Sequence, residues 1–265
     1  MNARPSWMPP ATPLKNGVWQ LGTVDPTLSA LYETVRSREL RIHPDEVVRG
    51  LPGSGKRTAH PAEWRVRARS LANLLRTLRA QGSHLRVLDI GCGNGWMSAA
   101  IAAEGHSVVA LDMHRSELEQ AARVFTDRDL TWCLGDPREV DLPSSHFDAV
   151  VFAASLQYFG DLPALFDRVL PSLVPGGAVH VLDTVLYADR TAAEAALERS
   201  RSYYAGLGAA DMAGHYHAHC LNDLEAVGRT VVLHHPTSPG RPCWPWSVRT
   251  PFHHVTIASP GPPEV

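Results

Sequence analysis

Two aspartates flank a run of three closely spaced glycines in the first half of the chain. Asp89 stands in front of Ile-Gly-Cys-Gly-Asn-Gly. Asp112 follows about twenty residues later, the usual spacing for a ligand of ribose hydroxyls. Glycines let the backbone approach a ligand closely, and a carboxylate in front of them suits a cationic group better than a phosphate. These residues therefore predict a site for a nucleoside that also carries a positive charge.

The spacing of the glycines separates one nucleoside cofactor from another. Dinucleotide-binding turns have the pattern G-x-G-x-x-G, whose third glycine allows tight packing beside a pyrophosphate. This chain has G-x-G-x-G, and Trp96 occupies the position of that third glycine. S-Adenosylmethionine has an ammonium group and an adenosine ribose but no pyrophosphate, and it satisfies both aspartates. An oxidoreductase that uses a nicotinamide cofactor is the alternative from another class of enzyme.

The elements that must position these residues are short and apolar. Residues 87–90 are typical of a buried strand, residues 96–104 have the composition of a helix, and residues 108–111 form a second apolar run. This order predicts half of a strand–helix–strand nucleotide-binding unit, in which the glycine turn follows the first strand and Asp112 ends the second.

A longer series of motifs resembles a known family. In order, Asp89-Ile-Gly-Cys-Gly-Asn-Gly95, Asp112, Gly135-Asp136, Phe147-Asp148 and Pro175-Gly-Gly177 are similar to the class I S-adenosylmethionine-dependent methyltransferases, in their small-molecule (type 11-like) branch. The resemblance implies an α/β fold with a doubly wound, mostly parallel sheet of seven strands, an N-terminal helical extension and a lid insertion after the fifth strand. It also implies S-adenosylmethionine as the cofactor.

The resemblance also implies a set of binding residues. Asp136 would accept a hydrogen bond from the adenine amino group. The full set expected to bind the cofactor is Asp89, Gly91, Cys92, Gly93, Gly95, Asp112, Met113, Asp136, Pro137 and Ser155. Ligands of open α/β sheets bind outside the carboxyl ends of the strands, so Gln157 and Tyr158, which follow the fourth strand, are expected to contact the acceptor substrate, together with Tyr203 of the insertion.

The expected organisation has two parts. Residues 1–60 form an N-terminal extension of an arm and a helix, and residues 61–260 form the cofactor-binding methyltransferase domain. Within that domain, residues 184–221 are the insertion that is expected to cover the site and select the acceptor.

Three histidines alternate in this insertion, at His215, His217 and His219. A metal site is conceivable, but no carboxylate completes a recognisable ligand pattern, and we expect no metal. His215 and His217 are candidates for a general base, because histidine titrates near neutral pH. The third interpretation is that these histidines are ordinary polar residues of a loop.

Composition restricts the partners. The formal net charge of −2 gives no basic footprint for nucleic acid, and no apolar stretch is long enough to span a bilayer. The four cysteines lack paired spacing, which favours a reduced, cytoplasmic protein. The sequence thus predicts a methyltransferase that acts on a small organic acceptor by in-line displacement, with oxygen slightly favoured over nitrogen or carbon. A binding protein that holds the cofactor without turnover is the non-enzymatic alternative.

Overall fold

A mixed β-sheet built from apolar runs forms the centre of the fold. The computed structural model describes residues 4–126, 129–237 and 250–258. In chain order the strands are β1 (Leu14–Lys15), β2 (Val18–Gln20), β3 (Arg86–Ile90), β4 (Ser107–Asp112), β5 (Leu130–Leu134), β6 (Phe147–Ala153), β7 (Leu173–Leu182), β8 (Leu186–Tyr187), β9 (His219–Cys220), β10 (Arg229–His234) and β11 (His254–Ala258).

The main sheet has the order β1-β2-β5-β4-β3-β6-β7-β11-β10. The strands from β2 to β7 in this order are parallel, and β11 lies antiparallel between β7 and β10. The mostly parallel, doubly wound arrangement is therefore confirmed. Strands β8 and β9 form a separate two-stranded ladder.

The sheet in the described residues has nine strands, so the expected number of seven was wrong. The two additional strands, β1 and β2, come from the N-terminal extension, and Val18 of β2 pairs with Trp132 of β5. This pairing covers the exposed edge of β5, whose unpaired backbone groups would otherwise face solvent. Runs of two or three residues carry too little periodicity to be recognised as strands from the sequence.

Helices cover both faces of the sheet. They are α1 (Pro26–Arg38), α2 (Asp45–Val48), α3 (Pro61–Gln81), α4 (Trp96–Ala103), α5 (Arg115–Val124), α6 (Leu162–Val169), α7 (Arg190–Gly206) and α8 (Leu221–Glu225). Side chains alternate along a strand, so Val87 of β3 packs in the core with α3, α4 and α5, while Leu88 packs in the core with α6. Both cores therefore include residues of β3, the strand that precedes the glycine turn.

The helix α1 and the segment 184–221 lie together over one end of the sheet. Asp25 begins α1 by accepting a hydrogen bond from the backbone N–H of Thr27, at 2.8 Å. Val35 of α1 packs with Tyr204 of α7 and with Met212 in the turn that follows. In the described residues, no helix combines the length and apolar character needed to cross a membrane. The sequence also predicts a connection rich in proline and tryptophan around Trp244 and a C-terminal tail from residue 260; both lie outside the described residues.

Candidate functional site

A glycine turn joins β3 to α4 at the carboxyl edge of the sheet. Gly91, Gly93 and Gly95 have φ angles of +74°, +53° and +74°, in the left-handed region that favours glycine. Gly91 also lacks space for a side chain, because an added Cβ would lie 2.3 Å from the Cβ of Ser155. Both backbone conformation and packing therefore require glycine at this position.

Asp89 is buried directly below this turn, with 1% of its surface exposed. Its Oδ2 accepts a hydrogen bond of 2.6 Å from the Ser98 hydroxyl, whereas its Oδ1 is buried without a partner. Burial raises the pKa of Asp89 to about 7, the Ser98 hydrogen bond opposes this shift, and the charge of Asp112 adds to it. A buried acceptor without a donor is costly, so the arrangement suits a ligand that brings a donor.

Asp112 ends β4 and holds the turn in place. Its two carboxylate oxygens accept hydrogen bonds from the backbone N–H groups of Gly93, at 2.7 Å, and His114, at 2.8 Å. Burial raises the pKa of Asp112, and Glu117 adds to this shift, while His114 and the two backbone hydrogen bonds oppose it. A carboxylate oxygen has two lone pairs, so Asp112 can still accept hydrogen bonds from ligand hydroxyls.

Two adjoining cavities open at this edge. The first has a volume of about 220 Å³ and lies against Asp112 and Met113. The second has a volume of about 320 Å³ and lies against Asp89 and the glycine turn. The residues that line both cavities are Tyr32, Gly91, Ala154 and Tyr158. One elongated ligand could therefore extend from the first cavity into the second.

The roof of these cavities includes residues that the sequence analysis missed. The ring of Tyr32 stacks on that of His114, with centroids 3.7 Å apart and an angle of 7° between the planes. Arg36, one turn further along α1, contacts Glu117 of α5 at 3.3 Å. The sequence analysis predicts a helix in this N-terminal extension, but a helix prediction does not show which part of the fold the helix covers.

Comparisons with known proteins identify the kind of domain to which the glycine turn belongs. Residues 87–177 match the model of a methyltransferase domain. This segment, about a third of the chain, is therefore a methyltransferase domain. An uncharacterized methyltransferase of Mycobacterium tuberculosis is 33% identical over 99 residues, which are 37% of this chain and 50% of that relative. The chain thus spans about half the length of this relative.

Two further comparisons describe the range of the family. A malonyl-[acyl-carrier protein] O-methyltransferase of Erwinia pyrifoliae is 36% identical over 98 residues, covering 37% of each chain. A solved S-adenosylmethionine-dependent methyltransferase of Leishmania major has a TM-score of 0.53 and 16% identity, and the match covers 88% of this chain and 84% of that one. At 16% identity, the likeness to the Leishmania major protein concerns the fold alone.

The residues of the methyltransferase domain fit S-adenosylmethionine, the cofactor of its family. The unpartnered Oδ1 of Asp89 offers an acceptor for an ammonium group, and Asp112 offers acceptors for ribose hydroxyls. Gly91 brings bare backbone to the junction of the two cavities. Met113, Pro137 and Ser155 also line the first cavity, and Cys92 and Gly93 line the second.

Asp136, which is expected to accept a hydrogen bond from the adenine, has a partner within the chain. Both of its carboxylate oxygens accept hydrogen bonds from the guanidinium of Arg138, at distances between 2.5 and 3.0 Å. The Arg138 guanidinium also lies 6.0 Å from the ring centroid of Phe159. Arg138, rather than Asp136, lines the first cavity. An adenine amino group would thus have to compete with this ion pair for Asp136.

The three histidines do not share one environment. His215 ends a short 3₁₀ helix (Ala210–His215), and both His215 and His217 line the first cavity. Burial lowers the pKa of His217, and the charges of His215 and Arg138 lower it further. His219 is buried in β9 and lines neither cavity. Among the described residues, no group of three or more His, Cys, Asp or Glu side chains is arranged to hold a metal ion.

The residues expected to bind the acceptor lie at the second cavity. Gln157, Tyr158 and Tyr203 all line it. The side chain of Gln157 is already held, since it donates to the carbonyl of Ala154 at 2.7 Å and accepts from the hydroxyl of Thr184 at 3.0 Å. The Tyr203 hydroxyl donates to Glu39 at 2.6 Å, which links α7 to the end of α1.

Proposed function

We propose that this protein transfers the methyl group of S-adenosylmethionine to a small organic acceptor. The observation that carries the proposal is the pair of adjoining cavities, with Asp112 in one, Asp89 in the other and the glycine turn between them. In this assignment the adenosine occupies the first cavity and the amino-acid part of the cofactor enters the second. The acceptor occupies the remainder of the second cavity.

Each binding residue has a role that follows from its chemistry. The carboxylate of Asp89 receives the cofactor ammonium, and Asp112 receives the ribose hydroxyls. Met113, Pro137, His215 and the other residues of the first cavity surround the nucleoside. Asp136 acts by holding Arg138 in place beside this cavity, through their ion pair. The domain division at residue 60 and the role of residues 184–221 as a lid belong to the same proposal.

The chain contributes mainly orientation and exclusion of water. When bound, the cofactor supplies a methyl group that is activated by a positively charged sulfur. Holding two reactants in line can lower a barrier by about 7–11 kcal/mol. Tyr158 and Tyr32 line both cavities. In this proposal Tyr158 lies between the cofactor and the acceptor, while Tyr32 and α7 cover the site.

An oxygen acceptor is favoured over nitrogen or carbon in this proposal, as a starting assumption for the assay. A base is required only when the reacting atom carries a proton that must leave. His217 has the neutral form that such a base needs at pH 7, because burial lowers its pKa. It lies in the cavity assigned to the nucleoside, so we assign it first as part of that wall.

Ligand binding and turnover test the proposal together. S-Adenosylhomocysteine should raise the melting temperature and NADH should not, because only ligands of the native state stabilise it. Asp112→Ala should weaken binding of S-adenosylhomocysteine by about 1–3 kcal/mol, through loss of charge-assisted hydrogen bonds. Asp167→Ala, at an exposed position of α6, is the matched control and should leave the dissociation constant unchanged.

Turnover is then measured with radiolabelled S-adenosylmethionine and a panel of small acceptors. Labelled product from any acceptor supports the proposed methyltransferase activity. Tight cofactor binding without product across the panel would favour the non-catalytic binding protein, and stabilisation by NADH alone would favour the oxidoreductase.

A further inference from the structure

Two residues at the carboxyl edge of the sheet have a left-handed backbone without being glycine. Ala154 follows β6 with a φ of +56°, and Asp183 follows β7 with a φ of +55°. This region is unfavourable for a residue with a Cβ, and it persists where the surrounding structure enforces it, often at functional sites. The backbone N–H of Ala154 donates to the carbonyl of Leu182 at 2.9 Å, so the two turns lie side by side on neighbouring strands.

Ala154 lies where the two cavities meet, because it lines both of them. The next residue, Ser155, donates its hydroxyl to the carbonyl of Ile90 at 2.6 Å, and Ile90 is the last residue of β3. The segment 154–155 therefore packs directly against the glycine turn. In the proposed function, the cofactor and the acceptor meet beside this segment, so its position would determine how well the reacting atoms are aligned.

The side chain of Gln157 connects the two left-handed turns. Its amide N–H donates to the carbonyl of Ala154 at 2.7 Å, and its amide oxygen accepts from the hydroxyl of Thr184 at 3.0 Å. Thr184 directly follows Asp183 and is buried. One amide group thus holds the end of β6 at one side and the chain after β7 at the other.

The same residue also contacts the segment expected to cover the site. The backbone N–H of His217 donates to the backbone carbonyl of Gln157 at 2.7 Å. Gln157 lines the second cavity, as expected for a residue that contacts the acceptor, but each end of its amide already has a partner within the chain. Exchanging these partners for a ligand would leave the carbonyl of Ala154 or the hydroxyl of Thr184 without its hydrogen bond.

We propose that Gln157 is a positioning residue for methyl transfer, which acts by holding Ala154 in its left-handed conformation at the junction of the two cavities. Thr184 fixes the amide of Gln157 in the orientation that this contact needs. The inference rests on the proposed methyltransferase function and adds a role to that site. A misplacement of about 1 Å can slow a reaction about 100-fold, so losing this support should lower kcat rather than weaken binding of either reactant.

Thr184→Val is the main test, because Thr184 lines neither cavity and the substitution keeps its shape while removing the hydroxyl. We expect kcat to fall roughly three- to tenfold in Thr184→Val and roughly ten- to hundredfold in Gln157→Leu. The KM of the acceptor and the dissociation constant of S-adenosylhomocysteine should stay within about twofold. Thr184→Ser retains the hydroxyl and should recover most of the rate.

Turnover is measured on the full chain with radiolabelled S-adenosylmethionine. The acceptors tried are phenol, catechol, benzoate, ethanolamine and glycine, and the one that gives the most product is used for all variants. Thr77→Val is the matched control, since it removes a hydrogen bond of 3.1 Å from the Thr77 hydroxyl to the carbonyl of Asn73 in α3, and it should leave kcat unchanged. Crystal structures with S-adenosylhomocysteine should show that Ala154 leaves the left-handed region in Gln157→Leu and keeps it in Thr77→Val.

The possible failures are distinguishable. If the wild type methylates none of the acceptors, the proposed function fails, and the inference is withdrawn with it. If the wild type methylates one of them and both Thr184→Val and Gln157→Leu keep its kcat, the function stands and the positioning role is overturned. If Gln157→Leu raises the KM of the acceptor while Thr184→Val changes nothing, Gln157 binds the acceptor directly and the inference is wrong. Should Gln157→Leu fail to fold, the comparison of Thr184→Val with Thr184→Ser decides.

Discussion

The binding of the cofactor should depend on pH through Asp89. This carboxyl group is buried, and its pKa of about 7 means that half of the free protein carries a protonated Asp89 at neutral pH. A cationic ligand prefers the ionised form. Binding below pH 7 therefore requires removal of a proton, and the dissociation constant should rise as the pH falls.

The size of this effect follows from linkage. Each pH unit below the pKa of the free form costs about 1.4 kcal/mol, a factor of ten, as long as the bound form stays ionised. Between pH 7, where half of the Asp89 carboxyl groups are already protonated, and pH 5.5, the dissociation constant for S-adenosylhomocysteine should rise roughly 15-fold, or about 1.6 kcal/mol. Titration calorimetry measures it directly. In buffers of different ionisation enthalpy, it should also detect release of a proton on binding.

Two variants separate Asp89 from other titrating groups. Asp89→Asn cannot ionise, so it should bind more weakly at pH 7.5 and lose most of the pH dependence. Ser98→Ala removes the hydrogen bond that stabilises the ionised form, so the transition should move to higher pH. Two results would refute the reasoning. The dissociation constant of the wild type could be unchanged from pH 5.5 to 7.5, or that of Asp89→Asn could depend on pH as strongly as that of the wild type.

Two further predictions concern stability. His180 and His254 are buried side by side in β7 and β11, with Nδ1 and Nε2 3.2 Å apart, and burial lowers their pKa values to about 4 and about 3. Because the unfolded chain binds more protons below pH 6.5, the free energy of unfolding should fall as the pH decreases from 6.5 towards 4. The decrease should be about 3 kcal/mol for His180 alone. Urea titrations should show this dependence in the wild type and not in the double variant His180→Leu/His254→Leu. Gly95→Ala should lower the free energy of unfolding by roughly 2–4 kcal/mol, since its Cβ would lie 2.4 Å from the Trp132 ring at a φ of +74°. Gly176→Ala is the control, because Gly176 has a similar φ and open space around it. An equal loss of stability in thermal melts of the two variants would contradict this reasoning.

The cofactor half of the fold could be predicted because its signals are local. The apolar run ending at Ile90 and the glycines behind it require no distant partner to be recognised. The position of Asp112 followed from the next apolar run. The seven strands expected from such runs are all present in the sheet. What the sequence could not show was the pairing of β2 with β5, which depends on an edge that exists only after folding.

The sequence also could not show which side chains pair with one another in the folded protein. The carboxylate of Asp136 was expected to face an adenine, but a neighbouring arginine two residues away holds both its oxygens. The contact between Arg36 and Glu117 joins residues 81 positions apart. The alternating histidines suggested one shared face, yet a 3₁₀ helix ends at His215 and the ladder with β8 buries His219.

The division between predictable and unpredictable residues also has a functional meaning. The matched methyltransferase domain covers residues 87–177, which include the glycine turn, Asp89 and Asp112. Most of the charged residues that line the second cavity come from outside this range, at Arg36, Glu39, Arg41, Glu63 and Arg67. The acceptors of relatives that match only residues 87–177 therefore do not determine the acceptor of this protein.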